Sequence, residues 1–244
     1  MNRLGIGPAA AARTAGAFYL ITVLTGLFAE LFVRGRLIVH DDASATAHNI
    51  VASEQLYRLG FAADIVGTGA YLVVTLLLYE LLRPVNRSLS LLAAFFSLVG
   101  IAIGGVAALG HLAPLFLLNG ASYLSAFYAA QLQAMALFAL KLHAQGYLIA
   151  LVFFGVYEVL LGYLIFKSTF LPRALGVLVA VGGLAFLINS FAIFVAPPIG
   201  DALNGYMLAL DGLGEISLTL WLLVFGVNAQ KWNAAAGGQT TSAS

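Results

Sequence analysis

Residues 88–110 read SLSLLAAFFSLVGIAIGGVAALG, 23 consecutive residues without a charge. As a helix rising about 1.5 Å per residue, such a run covers roughly 34 Å. A bilayer core about 30 Å thick needs about 20 apolar residues. This stretch therefore predicts a transmembrane helix. Outward from it, the same test finds 15–33, 59–82, 145–166, 174–196 and 206–228, of which 174–196 is also uncharged. Six spans follow.

The rest of the chain agrees with that stretch. Of 244 residues, 62% are hydrophobic and 9% charged, against about 25% charged in a soluble domain. Mean hydropathy is +1.00. The composition excludes a disordered chain and a coiled coil. With no cysteine it also excludes a disulfide scaffold, a thiolate metal site and a cysteine nucleophile. A net charge of +1 gives no reason to expect nucleic-acid binding. The expected partner is the lipid bilayer, with a small-molecule or ion ligand beside it.

Orientation follows from the cations. Arg3, Arg13, Arg83, Arg87, Lys167, Arg173 and Lys231 fall on one side, and Arg34, Arg36, Arg58 and Lys141 on the other. Seven against four places both termini in the cytoplasm of an inner-membrane protein. Asp41, Asp42, Glu54 and Asp201 fall in the opposite, outer connections. The inner turns, 83–87 and 167–173, each carry a proline that ends one helix and an arginine that starts the next. Arg3 and Arg13 before an apolar run also allow a signal peptide. The late Glu30 and the lack of a clean small-residue cleavage site favour a retained first span.

The segment Tyr123–Leu140 decides six spans against seven. Tyr128, Leu132, Met135 and Leu142 make an apolar stripe, and Gln131, Gln133 and Lys141 are polar. That pattern predicts an interfacial helix, which keeps six. A shift of 86 residues lays Gly60 on Gly146, Gly69 on Gly155, Tyr71 on Tyr157 and Arg87 on Arg173. The repeat predicts three hairpins of the same orientation, each turning on the outer side. Connectors 34–56 and 111–144 leave room for surface helices. The expected fold is an all-α polytopic bundle of six transmembrane helices with outer-face amphipathic helices. It forms one domain over 1–230 and ends in a disordered tail, 231–244.

Several local motifs carry a resemblance. They are Arg13-Thr-Ala-Gly-Ala-Phe-Tyr-Leu, Leu82-Arg83-Pro84-Val85-Asn86-Arg87, Phe153-Phe154-Gly155 and Gly162-Tyr163-Leu164-Ile165. Phe170-Leu171-Pro172-Arg173-Ala174-Leu175-Gly176 and the run Glu215–Leu223 belong with them. Together they resemble a bacterial family of integral membrane proteins catalogued as domain of unknown function 4386. The resemblance spans nearly the whole chain and implies a multi-pass inner-membrane protein, without an activity to carry over. The family pattern has histidine near position 157, where this chain has Tyr157.

Ionisable groups at membrane depth are costly and become default functional hypotheses. Asp64, Thr68, Tyr71 and Thr75 recur at i, i+4, i+7 and i+11, one polar stripe on the second span. Asp211, Glu215 and Thr219 make a similar stripe on the sixth. Two carboxylates one turn apart repel when both are ionised, so at least one is expected to hold a proton. Both stripes are expected to face inward, toward a shared polar cavity open to the outer side. Glu158 and Asn189 are added from the fourth and fifth spans, and Tyr71 and Tyr157 as neutral partners. The bland alternative is that these groups only bond between helices, for about 1 kcal/mol each.

His111 and His143 lie near the outer boundary, where a lone histidine is ordinarily solvated. A metal site of both histidines with Asp64 or Glu215 is chemically sensible, although no His-Glu-x-x-His spacing exists. Small-molecule, ion or proton handling is therefore the leading functional expectation. An intramembrane enzyme, metal-assisted or acid–base, and a non-catalytic subunit or sensor are the alternatives. Gly100, Gly104, Gly105, Gly182 and Gly183 are expected to serve close helix packing.

Overall fold

The computed structural model describes residues 5–241, and among these all regular structure is helical. Arg3 and the last three residues of the expected tail lie outside the described residues. Six helical runs are long and apolar enough to cross a membrane: Pro8–Leu37, Glu54–Leu82, Arg87–Leu117, Ala129–Lys167, Arg173–Val195 and Pro197–Val224. Their outer faces carry large apolar side chains such as Leu24, Val106, Leu109, Phe138, Val195 and Leu213. Glu158, Asp211, Asn189 and His111 are buried. Contiguous apolar exposure on this scale marks a membrane surface. This is a polytopic helical bundle.

The first span is not a uniform α-helix. α1 (Pro8–Leu27) passes through a π-helical stretch (Phe28–Arg34) into the short α2 (Gly35–Leu37). α3 (Ala43–Ala52) is the surface helix expected in the first connector. Asp42 caps it, accepting from Ala45 N at 2.8 Å. Thr46 and Asn49 tie it back to the end of the first span, through Val39 and the Leu37 carbonyl. α4 (Glu54–Leu82) and α5 (Arg87–Leu117) are the second and third spans. Asn86 caps α5 through Leu89 N.

α6 (Ala129–Lys167) is where the expectation fails. No separate interfacial helix occupies 123–140; after a 3₁₀ turn at Ser122–Leu124 one helix of 39 residues runs unbroken through the fourth span. No proline interrupts 129–167, and Gly146 is held against Ala107, where an added Cβ would come within 2.7 Å. Ala136 and Leu140 turn inward, whereas Tyr128, Met135 and Leu142 stay exposed. At 1.5 Å per residue this helix is about 58 Å long, nearly twice a hydrocarbon core, so six spans still suffice.

α7 (Arg173–Val195) and α8 (Pro197–Val224) form the last hairpin. α8 starts earlier than 206 because Pro197 and Pro198 suit the first helical turn. It ends at Gly226, whose φ of 67° and N–H to the Trp221 carbonyl make a left-handed stop. Where a disordered tail was expected from 231, α9 (Ala229–Thr241) is helical. Asn228 caps it through Lys231 N, and the buried Trp232 indole donates to the Leu81 carbonyl at 2.9 Å.

The chain divides into two compact units. One takes the chain through Leu20, Ala70–Ile101 and everything from Ile149 on. It contains a close backbone contact between α6 and α7. A Cβ on Gly155 would come within 2.7 Å of the Gly183 carbonyl, and one on Gly162 within 2.5 Å of the Gly176 carbonyl. Two reciprocal glycine pairs, each seven residues apart, let the backbones touch. Gly104 and Gly105, expected to do the same for α5, have nothing within 4 Å of an added Cβ.

The other unit takes Ile21–Gly69 and Ala102–Leu148. Its core is Val33, Leu37, Ile50, Tyr57, Leu115 and Leu140, so α3 packs through Ile50. On its surface, the Lys141 ammonium donates to Asp41 at 2.7 Å. That hydrogen bond, and then the ammonium's charge, hold the exposed Asp41 carboxyl below the usual carboxylate range.

Candidate functional site

In the unit that holds α7 and α8, three carboxyl groups gather. Glu158 projects from α6, and Asp211 and Glu215 from consecutive turns of α8. Glu158 is 1% exposed and Asp211 5%. Gly182 on α7 makes the room for two of them. A methyl group there would lie 3.1 Å from Asp211 Oδ1 and 3.4 Å from Glu158 Oε2, so both carboxyls border one space. The neighbouring Gly183 brings α7 onto the Glu158 Cβ.

Tyrosines complete the group. The Tyr19 hydroxyl donates to Glu215 Oε1 at 2.8 Å. The Tyr71 ring meets Tyr19 edge to face at 5.5 Å, Phe154 at 5.4 Å and Tyr157 at 6.3 Å between centroids. Both Glu158 oxygens, Asp211 Oδ1 and the Tyr157 hydroxyl are buried without a hydrogen-bond partner. Among the described residues no salt bridge reaches Glu158, Asp211 or Glu215; the ion pairs of the molecule lie at Arg34, Arg58, Arg83, His111 and Lys141. A buried ionised carboxylate with neither donor nor counter-ion is among the costliest states a protein can hold, and such groups neutralise instead.

Asn189 joins α7 to α8 differently. Its Nδ2 donates to Asn204 Oδ1 at 2.8 Å, and its own Oδ1 lacks a partner, as do Ser190 Oγ and Thr219 Oγ1.

The second unit has its own polar centre, built on the π-helical stretch. The guanidinium of Arg34 donates through Nε to Glu30 at 2.7 Å and through NH1 and NH2 to Asp64 at 2.6 and 3.3 Å. NH1 also lies 3.2 Å from His111 Nδ1. Guanidinium only donates, so Nδ1 accepts and the neutral ring carries its proton on Nε2. That Nε2 is buried without a partner. His111 is not solvated as expected but fully buried, under Tyr57, Phe61 and His143, with the Tyr57 hydroxyl donating to its carbonyl. His143 Nδ1 bonds the Ala107 carbonyl at 2.9 Å. π-helical turns re-aim side chains and recur at functional positions; here one joins Glu30 and Arg34 to Asp64. Gly60 admits Val33 beside it, where an added Cβ would meet a methyl at 2.7 Å.

The structure thus groups Tyr71, Tyr157, Glu158, Asp211 and Glu215 in one unit and Asp64, His111 and His143 in the other. The helix-two stripe is divided between them, and its threonines satisfy themselves. Thr68 donates to the Asp64 carbonyl and Thr75 to that of Tyr71, the usual back-bond of helical threonine. Among the described residues no three His, Asp or Glu side chains are disposed to hold a metal ion. At Asp64, His111 and Glu30 the cation in place is Arg34. Sequence reasoning missed Tyr19, Tyr57, Arg34 as a buried partner, and Asn204. Only the Glu30–Arg34 spacing of i, i+4 offered a signal.

Fold and polar interior together define the class, a multi-pass membrane protein with ionisable groups inside its helical bundle. Residues 14–226 match the model of the domain of unknown function 4386 family, and the chain belongs to that family. It is similar to an uncharacterized protein of Archaeoglobus fulgidus, 29% identical over 156 residues, covering 63% of this chain and 75% of that one. No solved structure matches the chain.

Proposed function

We propose that this is a plasma-membrane (inner-membrane) protein with cytoplasmic termini that takes up and releases protons at the Glu158–Asp211–Glu215 trio. One observation carries the reading. Among the described residues, both oxygens of Glu158 are buried without a donor, beside a second carboxyl and with no cation bonded to either. Charges so placed repel and are poorly solvated, so the trio holds its position by carrying protons. Tyr19 fixes Glu215 and sets it apart from the other two. The orientation rests on the count of cations, seven on the inner side against four on the outer.

The test is infrared spectroscopy of the purified protein in liposomes across a pH series. A protonated-carboxyl C=O band is expected at neutral pH, to be lost in part in Glu158→Gln and in Asp211→Asn. If the wild type has no such band, the reading is wrong.

A further inference from the structure

An open cavity of about 420 Å³ lies where α8 gives way to α9, with Thr169, Pro172, Trp221, Phe225, Asn228 and Lys231 in its lining. The Asn228 N–H donates to the Phe170 carbonyl at 3.2 Å, which holds the turn before α7 against the turn before α9. Trp221 and Phe225 stack on one another, 4.5 Å between ring centroids. Gly226, also in the lining, brings in Arg13, whose Cγ lies 3.7 Å from where a Cβ on that glycine would stand. Arg13 and Lys231 are both exposed, and among the described residues neither belongs to an ion pair. The segments that meet here, 1–29, 159–200 and 216–244, contain no Asp or Glu. Two cations thus border one cavity with no carboxylate to answer them. Along α8 from the cavity, Ile216, Leu220 and Val224 recur one turn apart and are exposed.

We propose that this cavity binds the headgroup of an anionic phospholipid, its phosphate held by Arg13 and Lys231 and its acyl chains lying along Ile216, Leu220 and Val224. Sites for small molecules span roughly 300–1,000 Å³, so a phosphoglycerol headgroup fits. Guanidinium and ammonium groups are the ordinary phosphate partners, and basic pockets between membrane helices take acidic headgroups. Tryptophan and its aromatic neighbour belong at headgroup level, where one end of the site is apolar and the other wet. Thr169 and Asn228 add a hydroxyl and an amide NH2 to the polar half. The apolar stripe selects a lipid over a soluble phosphate ester, which would fill that polar half alone. The site stands apart from the carboxyl trio and does not depend on the proton reading.

The chain has two tryptophans, and Trp232 is buried against Leu81, so in Trp232→Phe all tryptophan emission comes from Trp221 at the cavity. The experiment places this full-length protein in phosphatidylcholine vesicles and titrates in phosphatidylglycerol or phosphatidylcholine with brominated acyl chains, which quench Trp221. A cation near an anionic lipid is worth roughly fivefold in affinity. Brominated phosphatidylglycerol is therefore expected to quench at about tenfold lower mole fraction than phosphatidylcholine, and Arg13→Ala with Lys231→Ala to abolish the difference. Arg87→Ala removes a cation that starts α5 outside the lining and is expected to keep it. Should Trp232→Phe fail to fold, native mass spectrometry of the wild-type chain decides, with one phosphatidylglycerol retained per chain and none in the double variant. Equal quenching by the two lipids overturns the proposal. So does an equal loss in Arg87→Ala, which would mark a diffuse surface potential. Relief of the quenching by millimolar glycerol phosphate would assign the cavity to a soluble phosphate ester and overturn the lipid as its occupant.

Discussion

Replacing Gly162 by alanine tests the contact that brings Glu158 toward α7. The added methyl would lie 2.5 Å from the Gly176 carbonyl oxygen, 2.6 Å from Ala180 N and 2.8 Å from its Cβ. Two of these three atoms are backbone and cannot rotate away, so α6 and α7 must separate locally. Overpacking of this kind costs about 1–3 kcal/mol. The lost close contact has no hydrophobic compensation in lipid, which is as apolar as the helix faces. Alanine also gains up to about 1 kcal/mol of helix propensity over glycine, and that term must be removed before the cost can be read. Gly104→Ala removes it, because nothing lies within 4 Å of its added Cβ. The expected result is a Gly162→Ala protein about 1–3 kcal/mol less stable than Gly104→Ala, with Gly104→Ala at or slightly above wild type. Reversible unfolding in mixed micelles, followed by circular dichroism and Trp fluorescence, measures both. Equal stability of the two variants, within a few tenths of a kcal/mol, would refute the argument that the glycine pairs set the α6–α7 distance.

Two further outcomes follow from the second unit. Arg34→Leu leaves Asp64 and His111 without their donor, and breaking a largely buried ion pair costs about 3–5 kcal/mol; adding Asp64→Asn is expected to recover most of that loss in the same unfolding assay, and no recovery would show that Arg34 acts by packing alone. The exposed Asp41–Lys141 pair is pH-dependent in a defined direction. Asp41 titrates lower in the folded protein than in the unfolded chain, so its small contribution is present above the ordinary carboxylate range and is lost as pH falls through its depressed value. Lys141→Ala should therefore lower the melting temperature slightly at neutral pH and not at strongly acid pH, with the difference shrinking in high salt; a difference that grows in acid would reverse the sign of the argument.

Much of this molecule was legible one segment at a time. The six spans could be read from apolar runs, because crossing a bilayer depends on the summed transfer free energy of about 20 contiguous residues. The two carboxylates on α8 were legible for the same reason, as a spacing on one helix. α6 was misread because a stripe of polar and apolar residues at 128–142 does not reveal whether a helix stops; no chain-breaking residue stands at its junction with the fourth span. The bond from the Trp232 indole to the Leu81 carbonyl, 151 residues away, leaves no mark on the composition of the tail itself.

The sequence by itself determined the solvent, the apolar runs that cross it and which residues would be costly to bury. Only tertiary structure decided which of them meet. Glu158 joins Asp211 because Gly155 and Gly183 let α6 touch α7 and Gly182 leaves space between the carboxyls. Asp64 turns to Arg34 because a π-helical stretch ends at that arginine. The rotation of a helix about its own axis is fixed by its neighbours' surfaces, so no reading of that helix alone can supply it.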